Sequence, residues 1–274
     1  MSGVRVRNLR KAYGAQQVLR GIDLDIEPGE VVGLIGPNGA GKTTLMSCLL
    51  GFLFPDEGEI TIDGRPADDL AIRARTGFVP ERMNFGRGVR GREFLRYMAK
   101  LARVPDPSAR VEELLGRLEL TSAGEKSLSQ YSRGMLQRMG MCQALVGNPD
   151  FLFLDEPTSG LDPNGVMLVR GVIAEQRERG AAVLLNSHQL AEVERVCDRV
   201  LFLSKGVIAQ AETLRHANAI PIAITLLDGQ VIRTTVGSDA EIAAEVRRIV
   251  ESGADVVDVR KQTADLEQIF RSAS

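Results

Sequence analysis

Eight residues constrain this chain more than any other feature. Gly36-Pro37-Asn38-Gly39-Ala40-Gly41-Lys42-Thr43 has the spacing G-x-x-x-x-G-K-[ST]. The run before it, Val31-Val32-Gly33-Leu34-Ile35, is continuously apolar and bounded by turn residues. That pattern suits a strand buried on both faces of a parallel sheet. The residues after it, Thr43–Leu50, have a helical pattern. Strand, glycine-rich loop and helix in this order make an anion cradle. Glycines let successive N–H groups face one point, and the helix start adds partial positive charge. Lys42 is placed to reach the β- and γ-phosphates of a nucleotide, and the Thr43 hydroxyl to ligate Mg²⁺.

A second stretch supplies what phosphoryl chemistry needs beside a cradle. Phe151-Leu152-Phe153-Leu154-Asp155-Glu156 ends an apolar strand on two carboxylates. Asp155 is expected to hold Mg²⁺, and Glu156 to act as base or to orient the attacking water. Val166–Arg179 is predicted as a helix between this strand and a further one at Val183–Leu185. Strand, crossover helix and strand imply parallel pairing.

The chain has 274 residues, enough for one large α/β domain or a medium domain with a small one. Alternation at Val4 and Val6, then at Ile22, Leu24 and Ile26, predicts half-buried antiparallel strands before a Pro28-Gly29 turn. Glu59–Gly64 reads as a short strand and turn. From about Val89 to Leu145 the period is helical, with Phe94, Leu95, Met98 and Leu101 on one apolar face and Val111, Leu114, Leu115 and Leu118 on the next. After Gly206 the texture changes. Ile220–Leu226 and Gln230–Val236 flank Asp228-Gly229, a hairpin signal. A helix over Asp239–Val250, a strand over Asp255–Val259 and a short helix over Asp265–Phe270 complete a small ββαβα unit.

Composition excludes several classes. The formal net charge is −2, so no bulk basic field points to nucleic acid. Cys48, Cys142 and Cys197 lie far apart and, with only two histidines, form no metal-ligand spacing. They are expected to be small buried hydrophobes. No run approaches the ~18–20 apolar residues that span a bilayer. The basic N-terminal residues precede no apolar stretch, so no signal peptide is expected.

The phosphate loop and the stretch Leu154-Asp155-Glu156-Pro157-Thr158-Ser159-Gly160-Leu161-Asp162-Pro163 together resemble the ATPase domain of the ATP-binding cassette (ABC) family. The resemblance covers roughly residues 3–210. It implies an α/β fold with a P-loop NTPase core, an antiparallel β subdomain and a helical subdomain at about 86–148. A small α+β accessory unit at 211–274 would follow a 1–210 ATPase domain. The resemblance also implies ATP and Mg²⁺ as cofactors. Tyr13 matches the ring that stacks on adenine, and residues 36–43 with Thr44 match the phosphate contacts. Ser187-His188 matches the switch histidine that senses the γ-phosphate. Lys42, Glu156 and His188 would then be catalytic, and Thr43, Asp155 and Glu81 would face the metal. Ser132 and Gly134, in Tyr131-Ser132-Arg133-Gly134-Met135, match the family signature that seals ATP held by a second subunit. Asp162 matches the loop that crosses that interface.

The chain departs from the family pattern at four places. Tyr131, Arg133 and Met135 replace leucine, glycine and glutamine of the signature, and Glu81 replaces a glutamine. These departures, with Leu266-Glu267-Gln268-Ile269-Phe270 near the C-terminus, resemble the ABC-2 type exporter branch. That branch implies a homodimer or heterodimer of ATPase subunits at the cytoplasmic face of a membrane. Separate transmembrane permease subunits would dock on the helical stretch 86–130, with the basic segment Arg82–Arg92 at the edge of the groove. Two alternatives stand beside it: a cassette ATPase working on ribosomes or DNA, and an importer subunit. The substrate leaves no mark on these residues.

Overall fold

The computed structural model describes residues 2–83, 85, 88–214, 220–236 and 239–261. Strands β1 (Val4–Tyr13) and β2 (Gln16–Ile26) form an antiparallel hairpin. Their alternate residues Val4, Val6, Ile22, Leu24 and Ile26 are buried, as the period-two pattern predicts. β3 (Val31–Ile35) is buried at every position and feeds α1 (Lys42–Leu49) through the glycine-rich loop. β4 (Glu57–Ile62) and β5 (Arg65–Pro66) extend the first sheet to the order β2-β1-β4-β5, antiparallel throughout. After the one-turn α2 (Leu70–Arg73), β6 (Thr76–Val79) leads to three helices, α3 (Gly91–Leu101), α4 (Pro107–Arg117) and α5 (Arg133–Leu145).

The chain then alternates: β7 (Phe151–Asp155), α6 (Pro163–Glu178), β8 (Ala182–Asn186), α7 (Leu190–Val196), β9 (Arg199–Ser204) and β10 (Val207–Thr213). These strands, with β3 and β6, make a six-stranded sheet in the order β10-β9-β3-β8-β7-β6. All pairs are parallel except β10 with β9. The continuous apolar runs are thereby explained, because each strand serves two cores. Val31, Leu152, Leu154, Val183 and Leu185 pack with the helices α3 to α6. Val32, Leu34, Phe151, Phe153 and Leu184 pack toward α1 and the first sheet. Each such side chain contributes about 1.5–3 kcal/mol relative to exposure.

Local chemistry sets the helix ends. Asp106 accepts from the N–H groups of Ser108 (3.1 Å) and Ala109 (3.0 Å), and Pro107 opens α4. Leu101 departs from its predicted role: it is 60% exposed at the last turn of α3, on the rim of a groove rather than in the core. Three regions have no strand predicted from sequence: the two-residue β5, β6 and the β9–β10 hairpin. β6 is only four residues, and the β9–β10 hairpin turns on Lys205-Gly206, both at positive φ, without the usual asparagine or aspartate. The three cysteines are buried, as expected, and burial pushes the thiols of Cys48 and Cys142 up to about 11 and about 12.

β11 (Ile220–Leu226), β12 (Val231–Val236), α8 (Asp239–Glu251) and β13 (Val256–Lys261) follow. The three strands form an antiparallel sheet in the order β12-β11-β13. They share a separate apolar cluster of Ile222, Ile224, Leu226, Val236 and Ile249. The predicted hairpin turn is present, with the Gln230 N–H donating to Asp228 Oδ1 at 2.9 Å. The helix expected over Asp265–Phe270, and with it the Leu266–Phe270 motif, lies outside the described residues. So do Asn84, Gly86 and Arg87 of the basic segment. Among the described residues no helix is long and apolar enough to cross a membrane.

Candidate active site

The ends of three neighbouring parallel strands converge on one cavity of about 620 Å³. β3 delivers the glycine-rich loop, β7 the carboxylates, and β8 the residues that hold them. The loop leaves almost no room behind itself: a Cβ on Gly36 would lie 2.1 Å from the Leu203 carbonyl oxygen. Gly41, at φ 109°, precedes α1 and gives it no side-chain cap. The first N–H groups of α1 therefore stay available to an anion. Lys42 Nζ donates to the carbonyls of Gly36 (2.6 Å) and Pro37 (3.1 Å), so the ammonium is folded back over its own loop. Burial lowers its pKa, an effect opposed by the negative charges of Glu156 and Asp155.

Asp155 ends β7 directly opposite Asn186, the last residue of β8, in the parallel ladder. Asn186 Nδ2 donates to Asp155 Oδ1 at 2.5 Å. Burial raises the Asp155 pKa, the Asn186 bond opposes that rise, and Glu81 adds repulsion that raises it further. Glu156 is more constrained. Its φ is 50°, a left-handed conformation that costs a non-glycine residue about 1–3 kcal/mol. The strain is held in place by its neighbours. The Glu156 N–H donates to the Asn186 carbonyl (2.8 Å), and the Gln137 side chain donates to the Glu156 carbonyl (3.2 Å). At the carboxylate, Oε1 accepts from the His188 N–H at 3.0 Å, and His188 Nδ1 lies 2.8 Å from Oε2.

Ten of the expected residues line this cavity: Asn38, Gly39, Gly41, Lys42, Thr43, Thr44, Glu81, Asp155, Glu156 and His188. Gly36, Pro37 and Ala40 form the back of the loop rather than its wall. Tyr13 is 53% exposed and lies outside the wall, although its hairpin partner Gln16 is part of it. Ser132, Gly134 and Asp162 also lie outside the cavity. Ser132 caps α5 by accepting from the Met135 N–H (3.2 Å), and Asp162 caps α6 by accepting from the Gly165 N–H (2.7 Å). Three wall residues carry no signal in the linear motifs, Gln16, Val18 and Asn186, and a fourth, Ser159, lies in the Leu154–Pro163 stretch with no role predicted for it. For Asn186 the signal is positional, since it is the first polar residue after an apolar run that pairs with the Asp155 strand.

A family profile described as "ABC transporter" matches residues 19–159. The chain belongs to this family. An uncharacterized ABC transporter ATP-binding protein of Nostoc is 41% identical over 78% of this chain and 67% of its own length. The daunorubicin resistance ATP-binding protein DrrA3 of Streptomyces coeruleorubidus is 33% identical over 98% of this chain and 95% of its own. The Nod factor export ATP-binding protein I of Paraburkholderia xenovorans is 34% identical over 100% of this chain and 94% of its own. Among solved structures, the dimeric bacterial ABC transporter cassette MJ0796 superposes with TM-score 0.72 at 26% identity, covering 78% of this chain and 99% of that one. A second structure of MJ0796 is described as a post-hydrolysis state bound to ADP and Pi. The α/β fold with a P-loop NTPase core expected from sequence is thus the fold observed. This chain is an ABC transporter ATP-binding subunit, and its enzymatic class is ATP hydrolase.

Proposed function

We propose that two copies of this ABC subunit close head-to-tail over two ATP molecules, and that the cycle drives export through separate transmembrane subunits. One observation carries the first half. The cavity is lined by the glycine-rich loop and a held carboxylate, yet the capped start of α5 with Ser132 and Gly134 lies outside it. A helix start is an anion site, and here it serves no nucleotide of its own chain. A second protomer turned about a twofold axis would bring it one. The cassette MJ0796, of like fold, is dimeric, which supports the pairing of two copies.

In this reading the triphosphate displaces the carbonyls from Lys42 and takes the N–H groups of the loop, while Tyr13 at the rim covers the base. Thr43, Asp155 and Glu81 are oxygen donors, the set that suits Mg²⁺. Among the described residues no cluster of three or more His, Cys, Asp or Glu could hold a metal alone. Phosphate oxygens would therefore complete its shell, and the ion would neutralise charge developing on the phosphates. Asn186 orients Asp155. Glu156 orients and deprotonates the attacking water. His188 exchanges Glu156 for the γ-phosphate as the site closes. Phosphate loss removes an interaction made to both protomers, which favours opening. Replacing Glu81 by Gln keeps an oxygen toward the metal, so hydrolysis is expected to stay within about threefold. It also removes a charge that raises the Asp155 pKa. Complete loss of phosphate release by E81Q would give that carboxylate a further role.

A groove of about 680 Å³ supports the second half. It runs between the core and the helices, and Phe52 (67% exposed), Leu70 (80%) and Leu101 (60%) border it. Exposed apolar surface of this kind marks a protein contact. We assign it to a short segment of the permease, near the helical stretch expected from sequence. We assign residues 211–274, with their separate cluster, to an accessory unit; among its described residues there is no catalytic constellation. The drug-resistance and Nod-factor-export names of the full-length relatives favour the outward direction. The test is co-purification from detergent-solubilised membranes. The chain is expected to recover a multi-span membrane protein, and Leu101→Glu to lose it while still binding ATP. Recovery with ribosomes or DNA instead would reject the transport reading.

A further inference from the structure

The arginine that stands where the family signature has a glycine is not idle in this chain. Arg133 opens α5, and its Nη2 donates to Ser159 Oγ at 2.6 Å. Its stem lies over Gly160, where an added Cβ would come within 2.6 Å of Arg133 Cδ. One turn further along, Gln137 reaches back to the Glu156 carbonyl at 3.2 Å and is buried. Residues four apart share a helix face. A single face of α5 therefore holds both ends of the turn Glu156–Gly160. Ser159 is in the wall of the nucleotide cavity, whereas Ser132 and Gly134 beside Arg133 are outside it.

We propose that Arg133 is a positioning residue: by gripping Ser159 it fixes the spacing between this chain's own nucleotide cavity and the helix start that it offers to a second nucleotide. Its consequence for assembly rests on the head-to-tail reading above; the grip itself does not. A glycine at this position, as in the family pattern, would leave the turn held to α5 at its Glu156 end alone, through Gln137. The guanidinium makes them one body.

Hydrogen exchange in the free chain tests the grip. The Ser159 N–H donates to the Glu156 carbonyl and the Leu161 N–H to the Thr158 carbonyl. A hydrogen bond from a charged donor is worth enough that R133A is expected to speed exchange at these two amides about three- to tenfold. Exchange of the Leu45 N–H in α1, which donates to the Gly41 carbonyl, should not change. R133K should recover part of the protection. S159A should match R133A, and the double variant should be no worse than either, because both remove one interaction. Unchanged exchange in R133A, or additive effects in the double variant, would overturn the proposal. ATP affinity of the free chain should stay within about twofold in R133A; a larger loss would mean that Arg133 supports the cavity as a whole. Assembly is read in an E156Q background, where R133A should speed dissociation of the ATP-held dimer about three- to tenfold. An unchanged dissociation rate beside faster exchange would overturn the link between the two sites. If E156Q itself forms no dimer with ATP, the head-to-tail reading fails, and the exchange data still decide the grip.

Discussion

Glu156→Gln is expected to bind ATP, to lose turnover by at least about a hundredfold, and to accumulate as an ATP-held dimer. The range follows from what a positioned general base contributes, about 10²- to 10⁴-fold. The structure supplies the reason that binding survives. Glutamine is isosteric and can keep an oxygen where Oε1 accepts the His188 N–H at 3.0 Å. The backbone contacts to Asn186 and Gln137 do not involve the side chain. What is lost is the ability to accept a proton from water. Phosphate release reports the first effect, and size-exclusion chromatography with light scattering reports the second. Rapid turnover by E156Q would remove Glu156 from the role assigned to it. A monomer at saturating ATP would remove the sandwich.

Gly36→Ala is expected to weaken ATP binding by about a hundredfold, or about 2.8 kcal/mol at 1.4 kcal/mol per factor of ten. The cause is backbone against backbone. The added methyl would meet the Leu203 carbonyl oxygen at 2.1 Å, and neither β3 nor β9 can retreat, since each is paired along its length in the interior of the sheet. The loop must move instead. Its Gly36 carbonyl is the nearest acceptor of Lys42 Nζ, so the ammonium moves with it. Overpacking of this kind also costs about 1–3 kcal/mol of stability, so the melting temperature should fall. Isothermal titration with ATP and a thermal melt check both effects. Wild-type affinity in G36A would show that the loop is softer than its packing implies.

The parts of the site that lie on one continuous stretch are legible in sequence. The glycine-rich loop and Asp155-Glu156 each carry their chemistry at fixed spacing after a buried strand. The residues that discipline them are not legible, because they arrive by pairing. Asn186 meets Asp155 only through the register of two parallel strands. Ser159 and Arg133 are 26 positions apart and meet only when α5 packs on the turn. The fold shows the same division. Strands with two covered faces stand out as apolar runs, and the Asp228-Gly229 hairpin announces itself. β6 is short, and its pairing with β7 is invisible in its own four residues. Leu101 has helical periodicity in common with Leu95, but periodicity does not say which apolar residue meets the core and which borders a groove.

One detail of strand order has a mechanical meaning. β6 is the outermost strand on its side of the sheet, and it alone leads directly to the loop with Glu81 and onward to the helical arm. The strands that carry the phosphate loop, the carboxylates and Asn186 lie further in, each braced by a ladder on both flanks. The arm returns through α5 to β7, the neighbour of β6, so a force applied to it reaches the sheet at the margin and at the carboxylate strand together. Any displacement of the arm is therefore transmitted to Glu156 as well, whose carbonyl the Gln137 side chain of α5 already holds.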